Sequence, residues 1–399
     1  MRLRELFMAG KGRESNPRAA KTSAGRIFSK GCGGDATFTL DVQDSEILKG
    51  IAILVIAFHN YFHKLSLAKE NEFEFHPERI FVFLRAVRDP HESLQALISF
   101  FGHYGVQIFV FLSAYGLAKK YWNHAPGWAG FVWGRVRKLY PLFIAVMVLW
   151  VLVVGLAKGP TGPWQMIHAH GAALAATLLG ILNLVPGHSL PPVGPWWFMP
   201  FIVQFYCLWP LLKRFAERFG AEGLLVLSAA ALLLIASAND FLIAHCSLTL
   251  TLSPLGSLPV ICLGIAMARY NFNPGRGCTA LAVLAFLPSN FFAWLWPLGA
   301  PATVVLALRA YRFARPALRR LDILRRAGLC SPALFLVNGV TRIPFLDIAW
   351  KERNWYAELL LGLAAVCVAW LSAELLTVGI GGPKHKTVEQ ILGFQGRGA

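Results

Sequence analysis

The sequence predicts an all-α protein, a bundle of membrane-spanning helices, and three observations support this. Of its 399 residues, 56% are hydrophobic and only 15% are charged, whereas a soluble domain has about 45–50% apolar and about 25% charged residues. Aromatic residues make up 13% of the chain, which is typical of membrane interfaces and packed helices. Several apolar stretches approach the roughly 20 residues that a helix needs to cross a bilayer. This composition excludes a soluble enzyme.

Ten apolar stretches are predicted to cross the membrane. Residues 279–311 are too long for one helix, and Pro288 and Pro297 divide them, so they are interpreted as two short spans. The predicted spans are residues 47–65, 94–118, 139–157, 196–212, 223–238, 254–268, 279–311 (two spans), 329–346 and 355–378.

A further apolar stretch, 167–185, is expected not to cross. Basic residues concentrate on the cytoplasmic side of membrane proteins, and clusters occur here at 2–49, 135–138 and 309–326. If 167–185 spans the membrane, the basic residues from Lys213 onward fall outside. If it is re-entrant or interfacial, every basic cluster falls inside together with both termini. We therefore predict about ten spans, one re-entrant or interfacial segment and two cytoplasmic termini.

The chain divides into three regions. Residues 1–44 are basic, lack the apolar core of a signal peptide and are expected to form a disordered cytoplasmic extension. Residues 45–378 form the membrane domain, and 379–399 a short cytoplasmic tail. The basic residues that give the chain its net charge of +17 lie beside apolar spans. This position favours basic cytoplasmic loops over a nucleic-acid-binding surface. The seven cysteines include no CxxC pair, which argues against a zinc knuckle or a disulfide framework.

Two histidines stand near the end of the first predicted span. His59 is about twelve residues into the stretch ILKGIAILVIAFHNYFHKL, and His63 follows one turn later on the same helix face. Polar side chains inside apolar spans are costly and therefore functional candidates, and an imidazole is suited to proton transfer at neutral pH. The alternatives are a histidine bonded between packed helices, or a metal pair. Because two histidines alone are a weak metal signal, no metal is predicted.

Three cations precede the third predicted span in the segment FVWGRVRKLYPLF. Arg135, Arg137 and Lys138 fit a topological anchor at the inner interface. They equally fit a phosphate clamp, since arginine makes bidentate contacts to phosphate and lysine adds a point charge. Acyl-coenzyme A (acyl-CoA) is a cytoplasmic acyl donor that carries three phosphates and would dock at such a site.

Five segments of the chain occur in a characteristic order: LKGIAILVIAFH, GVQIFVFLSAYGL, FVWGRVRKLYPLF, PWWFMPFIVQFYCLWPLL and CSPALFLVNG. Together they resemble five signature segments of the acyltransferase 3 family, which comprises bacterial integral-membrane O-acyltransferases that modify polysaccharides, lipids and other glycoconjugates. Each segment alone is a weak apolar string, but five in the right order are specific. They extend from Leu48 to Gly339, across nearly the whole membrane region.

The resemblance implies roles for individual residues. His59 corresponds to the family histidine of the first span, which is thought to activate the acceptor hydroxyl. Arg135 and Lys138 correspond to the paired basic residues before the third-span proline, here Pro141. Asn338 departs from the family, because many members have histidine at that position. The family's aromatic-rich stretch corresponds to Trp197, Gln204, Phe205, Tyr206, Trp209 and Pro210.

The resemblance also implies a reaction and a location. We expect transfer of an acyl group, acetyl in the simplest case, from acyl-CoA as co-substrate to a hydroxyl of a cell-surface polysaccharide, a lipid-linked sugar or another glycoconjugate. No bound cofactor is expected. Asn60, Gln107 or Tyr115 could bind the oxyanion, and Trp197, Gln204 and Tyr206 could contact the substrate. The expected location is the bacterial inner membrane, with lipid, acyl-CoA and a carbohydrate acceptor as partners and no nucleic acid.

Two other classes of function remain compatible with the sequence. In a permease for small molecules or lipid-linked sugars, His59 and the cations would only line a pathway. In a non-catalytic subunit of a glycan export complex, the buried polar residues could be replaced without loss. No internal repeat supports the permease.

Overall fold

The computed structural model describes residues 38–123, 127–187, 190–270, 272–352 and 354–381, and these residues form helices and loops with no strand. Most of the predicted N-terminal extension and tail lies outside the described residues. The helices are α1 Val42–Leu65, α2 Glu78–Ala86, α3 Ser93–Phe101, α4 Gly105–Tyr121, α5 Trp128–Lys158, α6 Gly162–Leu178, α7 Phe198–Cys246, α8 Leu258–Arg269, α9 Arg276–Ser289, α10 Gly299–Leu318, α11 Asp322–Leu329, α12 Ser331–Thr341, α13 Ile343–Glu352 and α14 Trp355–Gly381.

Five helical stretches in the described residues are long and apolar enough to cross a membrane. A sixth is formed if α12 and α13, which meet at a bend of 46°, are taken as one broken span. The prediction of about ten spans is not confirmed, because other predicted spans form shorter helices, such as α8 and α9. The five stretches are Val42–Leu65, Ser93–Tyr121, Trp128–Lys158, Gly194–Cys246 and Trp355–Ile380.

The longest helix, α7, turns back on itself at Gly220. This residue has φ +67° and ψ −158°, a backbone conformation that only glycine adopts readily. Trp197, directly before α7, packs its ring 5.1 Å from the ring of Phe73, while Asn239 near the other end lies 3.4 Å from the carbonyl oxygen of Phe73. Both ends of the helix reach the same residue, so its two halves run antiparallel.

The bundle has two ends that differ in chemistry. At the basic end, α1 begins and α4 stops, and the Tyr115 hydroxyl donates to the Leu40 carbonyl at 3.1 Å. At the histidine end, α1 stops and α4 begins, and Gly102 lies so close to His59 that a Cβ there would be 2.5 Å from the Cβ of His59. α4 therefore runs antiparallel to α1 and joins the two ends.

Ionic contacts fix the start of α1 at the basic end. Asp41 and Asp44 form a capping box, each side chain accepting from the other's backbone N–H. The Asp44 carboxylate is fully buried and accepts from Arg315 at 2.9 Å, from Arg319 at 3.0 Å and from the Tyr311 hydroxyl at 2.7 Å. A buried carboxylate is stable only with such partners, so these contacts hold α10 against α1.

The chain between α5 and α7 enters and leaves the bundle at the histidine end. Helix α6 starts just after α5 ends and runs back beside it, and the Tyr140 hydroxyl of α5 donates to the Leu178 carbonyl at the far end of α6. The chain then turns at Gly180, where φ is +73°. It returns to the end of α7, where the Gly187 amide donates to the Ser247 carbonyl at 3.2 Å.

Candidate functional site

Two imidazoles of α1 lie together near the histidine end. The rings of His59 and His63 are 5.6 Å apart, because residues four apart share one face of a helix. Only 4% of His59 is exposed, since α3 and the short turn Gly102–Tyr104 cover it. A third imidazole, His103 in that turn, has its ring 6.0 Å from the ring of His59.

Backbone carbonyls fix the tautomers of His59 and His103. Nδ1 of His59 lies 3.2 Å from the Ile98 carbonyl oxygen, and Nδ1 of His103 lies 3.0 Å from the Phe100 carbonyl oxygen. A carbonyl oxygen only accepts hydrogen bonds, so Nδ1 carries the proton in both rings. In a neutral ring Nε2 then keeps its lone pair and can accept a proton.

The buried carboxylate of Glu70 completes the cluster. Its Oε2 lies 2.7 Å from Nδ1 of His63, and 8% of the residue is exposed. Burial alone would raise the pKa of Glu70, but the hydrogen bond from His63 and the nearby imidazoles lower it to about 2. Glu70 is therefore ionised at neutral pH.

Glu70 lies in a loop, residues 66–77, that packs across the histidine end. Distant parts of the chain hold this loop: Trp296 Nε1 donates to the Asn71 carbonyl at 2.8 Å, and the Thr251 hydroxyl donates to the Phe73 carbonyl at 2.8 Å. The Ser99 hydroxyl donates to the Ala68 carbonyl at 2.7 Å. These bonds fix the Glu70 backbone relative to the histidines.

The three residues His59, His63 and Glu70 could hold a metal ion. Each offers one ligand atom, and these atoms lie within 4.8 Å of one another. The sequence argument against a metal relied on the histidines having no acidic ligand nearby. The fold brings Glu70 to His63 and so supplies that ligand.

A second polar group lies beside His59 and consists of Asn60, Asn338 and Arg342. The Asn60 amide donates to Asn338 Oδ1 at 2.8 Å, and Arg342 donates to the Asn60 backbone carbonyl. Arg342 is 8% exposed and sits at the bend between α12 and α13. In the part of the chain that the structure describes, no acidic residue forms an ion pair with this buried cation.

The other predicted oxyanion residues lie in different surroundings. Gln107 is half-buried on the first turn of α4, and its buried Oε1 has no hydrogen-bond partner among the described residues. Tyr115 is two turns further towards the basic end, and its hydroxyl binds the Leu40 carbonyl. Of the two, Gln107 is nearer the histidine end.

Gln204 holds the turn that follows α6. Its Nε2 donates to the Gly180 carbonyl at 2.9 Å and to Asn183 Oδ1 at 2.6 Å, while Asn183 Nδ2 lies 3.1 Å from Gln204 Oε1. Trp197 packs against the ring of Phe73 in the loop over the histidines. Gln204 thus fixes the turn after α6, and Trp197 packs against the loop that carries Glu70.

The three predicted phosphate-binding cations differ in burial. Arg135 is 5% exposed, and its guanidinium carbon lies 4.9 Å from the ring centroid of Tyr121 and 5.7 Å from that of Tyr206. The ring centroid of Phe131 lies 5.6 Å from the same guanidinium carbon, so three aromatic rings surround the Arg135 head group. Arg137 and Lys138 are exposed on the same helix. Tyr206 thus belongs with Arg135 at the basic end.

The predicted residues therefore fall into two groups at opposite ends of α4. This helix has 17 residues, which is about 25 Å at 1.5 Å per residue. His59 and Asn60 lie near one end and Arg135 and Tyr206 near the other. Sequence reasoning missed Glu70, His103 and Arg342 as members of the first group. Glu70 lies between the predicted spans 47–65 and 94–118, in an acidic stretch at 69–92 that has no sequence signal relating it to the histidines.

This arrangement defines a class of protein: an integral-membrane helical bundle with a buried histidine–carboxylate cluster at one end and a cationic group at the other. The family model for the acyltransferase domain matches residues 42–374. The chain therefore belongs to the acyltransferase 3 family, and membership makes it a membrane acyltransferase. No curated protein and no solved structure matches the chain.

Proposed function

We propose that the protein is an O-acyltransferase that moves an acyl group, acetyl in the simplest case, from acyl-CoA to a hydroxyl of a cell-surface polysaccharide, a lipid-linked sugar or another glycoconjugate. The observation that carries this proposal is His59, which is buried, fixed through Nδ1 and left with a lone pair on Nε2. A sugar hydroxyl is a poor nucleophile until a base takes its proton.

The reaction requires one proton transfer in each direction. Nε2 of His59 takes the hydroxyl proton as the acceptor oxygen attacks the thioester carbonyl carbon. The tetrahedral intermediate then collapses, the carbon–sulfur bond breaks, and the proton on His59 passes to the departing coenzyme A thiolate. The products are an ester and a free thiol, and His59 is neutral again.

Negative charge on the carbonyl oxygen of the intermediate requires hydrogen-bond donors. The side chain of Asn60 is already engaged by Asn338, which leaves Arg342 and Gln107 as the stronger candidates. Arg342 is a buried cation bonded to the backbone of the residue next to His59. We assign it the oxyanion role, with the side-chain amide of Gln107 as a second donor.

The donor phosphates would bind at the basic end, where Arg135, Arg137 and Lys138 lie. The extended pantetheine arm of acyl-CoA would run along α4 and bring the thioester towards His59. The positive-inside rule orients this end to the cytoplasm, where acyl-CoA is made, and the histidine end to the outside. This orientation corresponds to the inner membrane of a bacterium, with the acceptor approaching from the opposite face.

Mass spectrometry of surface glycans from a deletion strain tests the proposal. We expect one class of glycan to lose its acyl groups, and the wild-type gene to restore them. The His59→Ala variant should insert at normal levels without restoring them, and His63→Ala should be milder. His168→Ala, an exposed histidine on α6, is the matched control and should restore acylation. Full acylation by His59→Ala would refute the assigned base.

A further inference from the structure

We propose that His59, His63 and Glu70 form a binding site for a divalent transition-metal ion such as Zn²⁺, and that an ion bound there blocks acyl transfer. The metal site stands on the geometry of the three residues alone. The blocking effect rests on the proposed function, because it requires His59 to be the base.

The donor set suits zinc. Two imidazole nitrogens and one carboxylate oxygen are among the ligand sets that Zn²⁺ takes, at about 2.0–2.2 Å from the ion. Tetrahedral ligands at that distance lie about 3.4 Å apart. His63 Nδ1 and Glu70 Oε2 are already 2.7 Å apart, and all three ligand atoms lie within 4.8 Å of one another. Small side-chain movements would therefore complete the geometry.

Supporting contacts orient the ligands as in established metal sites. A metal-binding histidine usually donates its other ring N–H to a carbonyl or carboxylate, and Nδ1 of His59 is bonded to the Ile98 carbonyl. Lys69 donates to the backbone carbonyl of His63, and Arg79 to that of Glu70. The loop that carries Glu70 is thus fixed against the helix that carries the histidines.

The ion would take the place of the proton between His63 Nδ1 and Glu70 Oε2, and would draw its third bond from Nε2 of His59. That lone pair can bind either a metal ion or the proton of an acceptor hydroxyl. Occupancy by metal and catalysis by His59 therefore exclude each other. The ring of His103 is 6.0 Å from that of His59, but His103 lies outside the set of three ligands.

Metal binding can be measured without any acyltransferase assay. The full chain, purified in detergent without a polyhistidine tag, is titrated with Co²⁺ and followed by its visible absorption, with metal content determined after dialysis. We expect one ion per chain. His63→Gln and Glu70→Gln should each weaken binding by more than about tenfold, whereas His103→Gln keeps it. Equal Co²⁺ binding in the wild type and both ligand variants would overturn the site.

A second measurement addresses the blocking effect. Added Zn²⁺ should inhibit acyl transfer by the wild type, and a chelator should restore the rate. Any residual activity of Glu70→Gln should be much less sensitive to Zn²⁺. Stimulation by Zn²⁺, or the same inhibition in Glu70→Gln, would overturn the proposed exclusion. If the wild type transfers no acyl group at all, the proposed function fails, while the Co²⁺ titration still decides the metal site.

Discussion

Gly50 of α1 and Gly328 of α11 lie at a helix crossing that leaves no room for a side chain. A Cβ on Gly50 would lie 1.8 Å from the Leu324 carbonyl oxygen, and a Cβ on Gly328 would lie 1.8 Å from the Glu46 carbonyl oxygen. Small residues let membrane helices approach this closely, and the resulting contacts replace the hydrophobic effect as the source of association. The crossing fixes the depth of α1, and therefore of His59, in the bundle.

The first prediction concerns this crossing. Gly50→Ala and Gly328→Ala should each destabilise the protein by about 1–3 kcal/mol or more, because the added methyl overlaps backbone atoms that cannot move independently. Thermal unfolding of the detergent-solubilised protein measures the change. The control is Gly171→Ala on α6, where a Cβ meets no atom within 4 Å. Alanine there should be neutral or stabilising, and equal losses at all three glycines would contradict the argument.

The sequence predicted an all-α membrane protein and an interruption within α7, and both predictions have a physical basis. Lipid requires long apolar helices, and the polar segment that includes Lys213 and Arg214 interrupts one such stretch. The two predicted spans, 196–212 and 223–238, already imply that the chain turns back. What the sequence did not predict is that the helix continues through Lys213 and Arg214 as far as Gly220 before the turn. Nor did it show that several helices would be too short to qualify as spans.

The candidate site likewise has residues that could be predicted from the sequence and residues that could not. His59 and Arg135 could be found because they stand in recognisable segments. Glu70 could not, because its position depends on bonds between its loop and residues distant in the chain, such as Trp296 and Thr251. Arg342 was missed because a single arginine between two apolar stretches is indistinguishable from a loop charge until its burial is known.

The second prediction separates a phosphate clamp from a topological anchor at the basic end. Arg135→Lys should raise the apparent donor KM, because an ammonium reproduces neither a bidentate phosphate contact nor the packing of a guanidinium on three rings. Loss of a charge-assisted hydrogen bond lowers affinity by about ten- to hundredfold. Titration of the purified variants with acyl-CoA measures the donor affinity.

Arg276→Lys is the matched control for Arg135→Lys, because Arg276 is an exposed arginine at the start of α9 and lies outside the three predicted phosphate-binding cations. It should bind the donor nearly as the wild type does. If the double variant Arg135→Ala, Lys138→Ala keeps its donor affinity, these residues are anchors and the donor binds elsewhere.

The third prediction concerns Arg342. Arg342→Gln should lower kcat by about a hundredfold or more while leaving the donor KM nearly unchanged, because an oxyanion donor acts mainly in the transition state. Arg342→Lys keeps the charge and should recover part of the rate. Arg320→Gln, at an exposed arginine, controls for the loss of one positive charge. A large change in donor KM with normal kcat would assign Arg342 to donor binding instead.

The last prediction concerns the path of the chain across the membrane. Helix α6 runs back beside α5, and the chain then returns to the end of α7 through the bond between Gly187 and Ser247. Lys213 lies at the basic end, where its ammonium is 5.8 Å from the ring of Trp122. Reporter fusions at Lys158 and at Pro192 should therefore both lie outside, and a fusion at Lys213 should lie in the cytoplasm. A cytoplasmic signal at Pro192 would make 167–185 a true span, invert the later basic clusters and place the donor phosphates on the wrong side of the membrane.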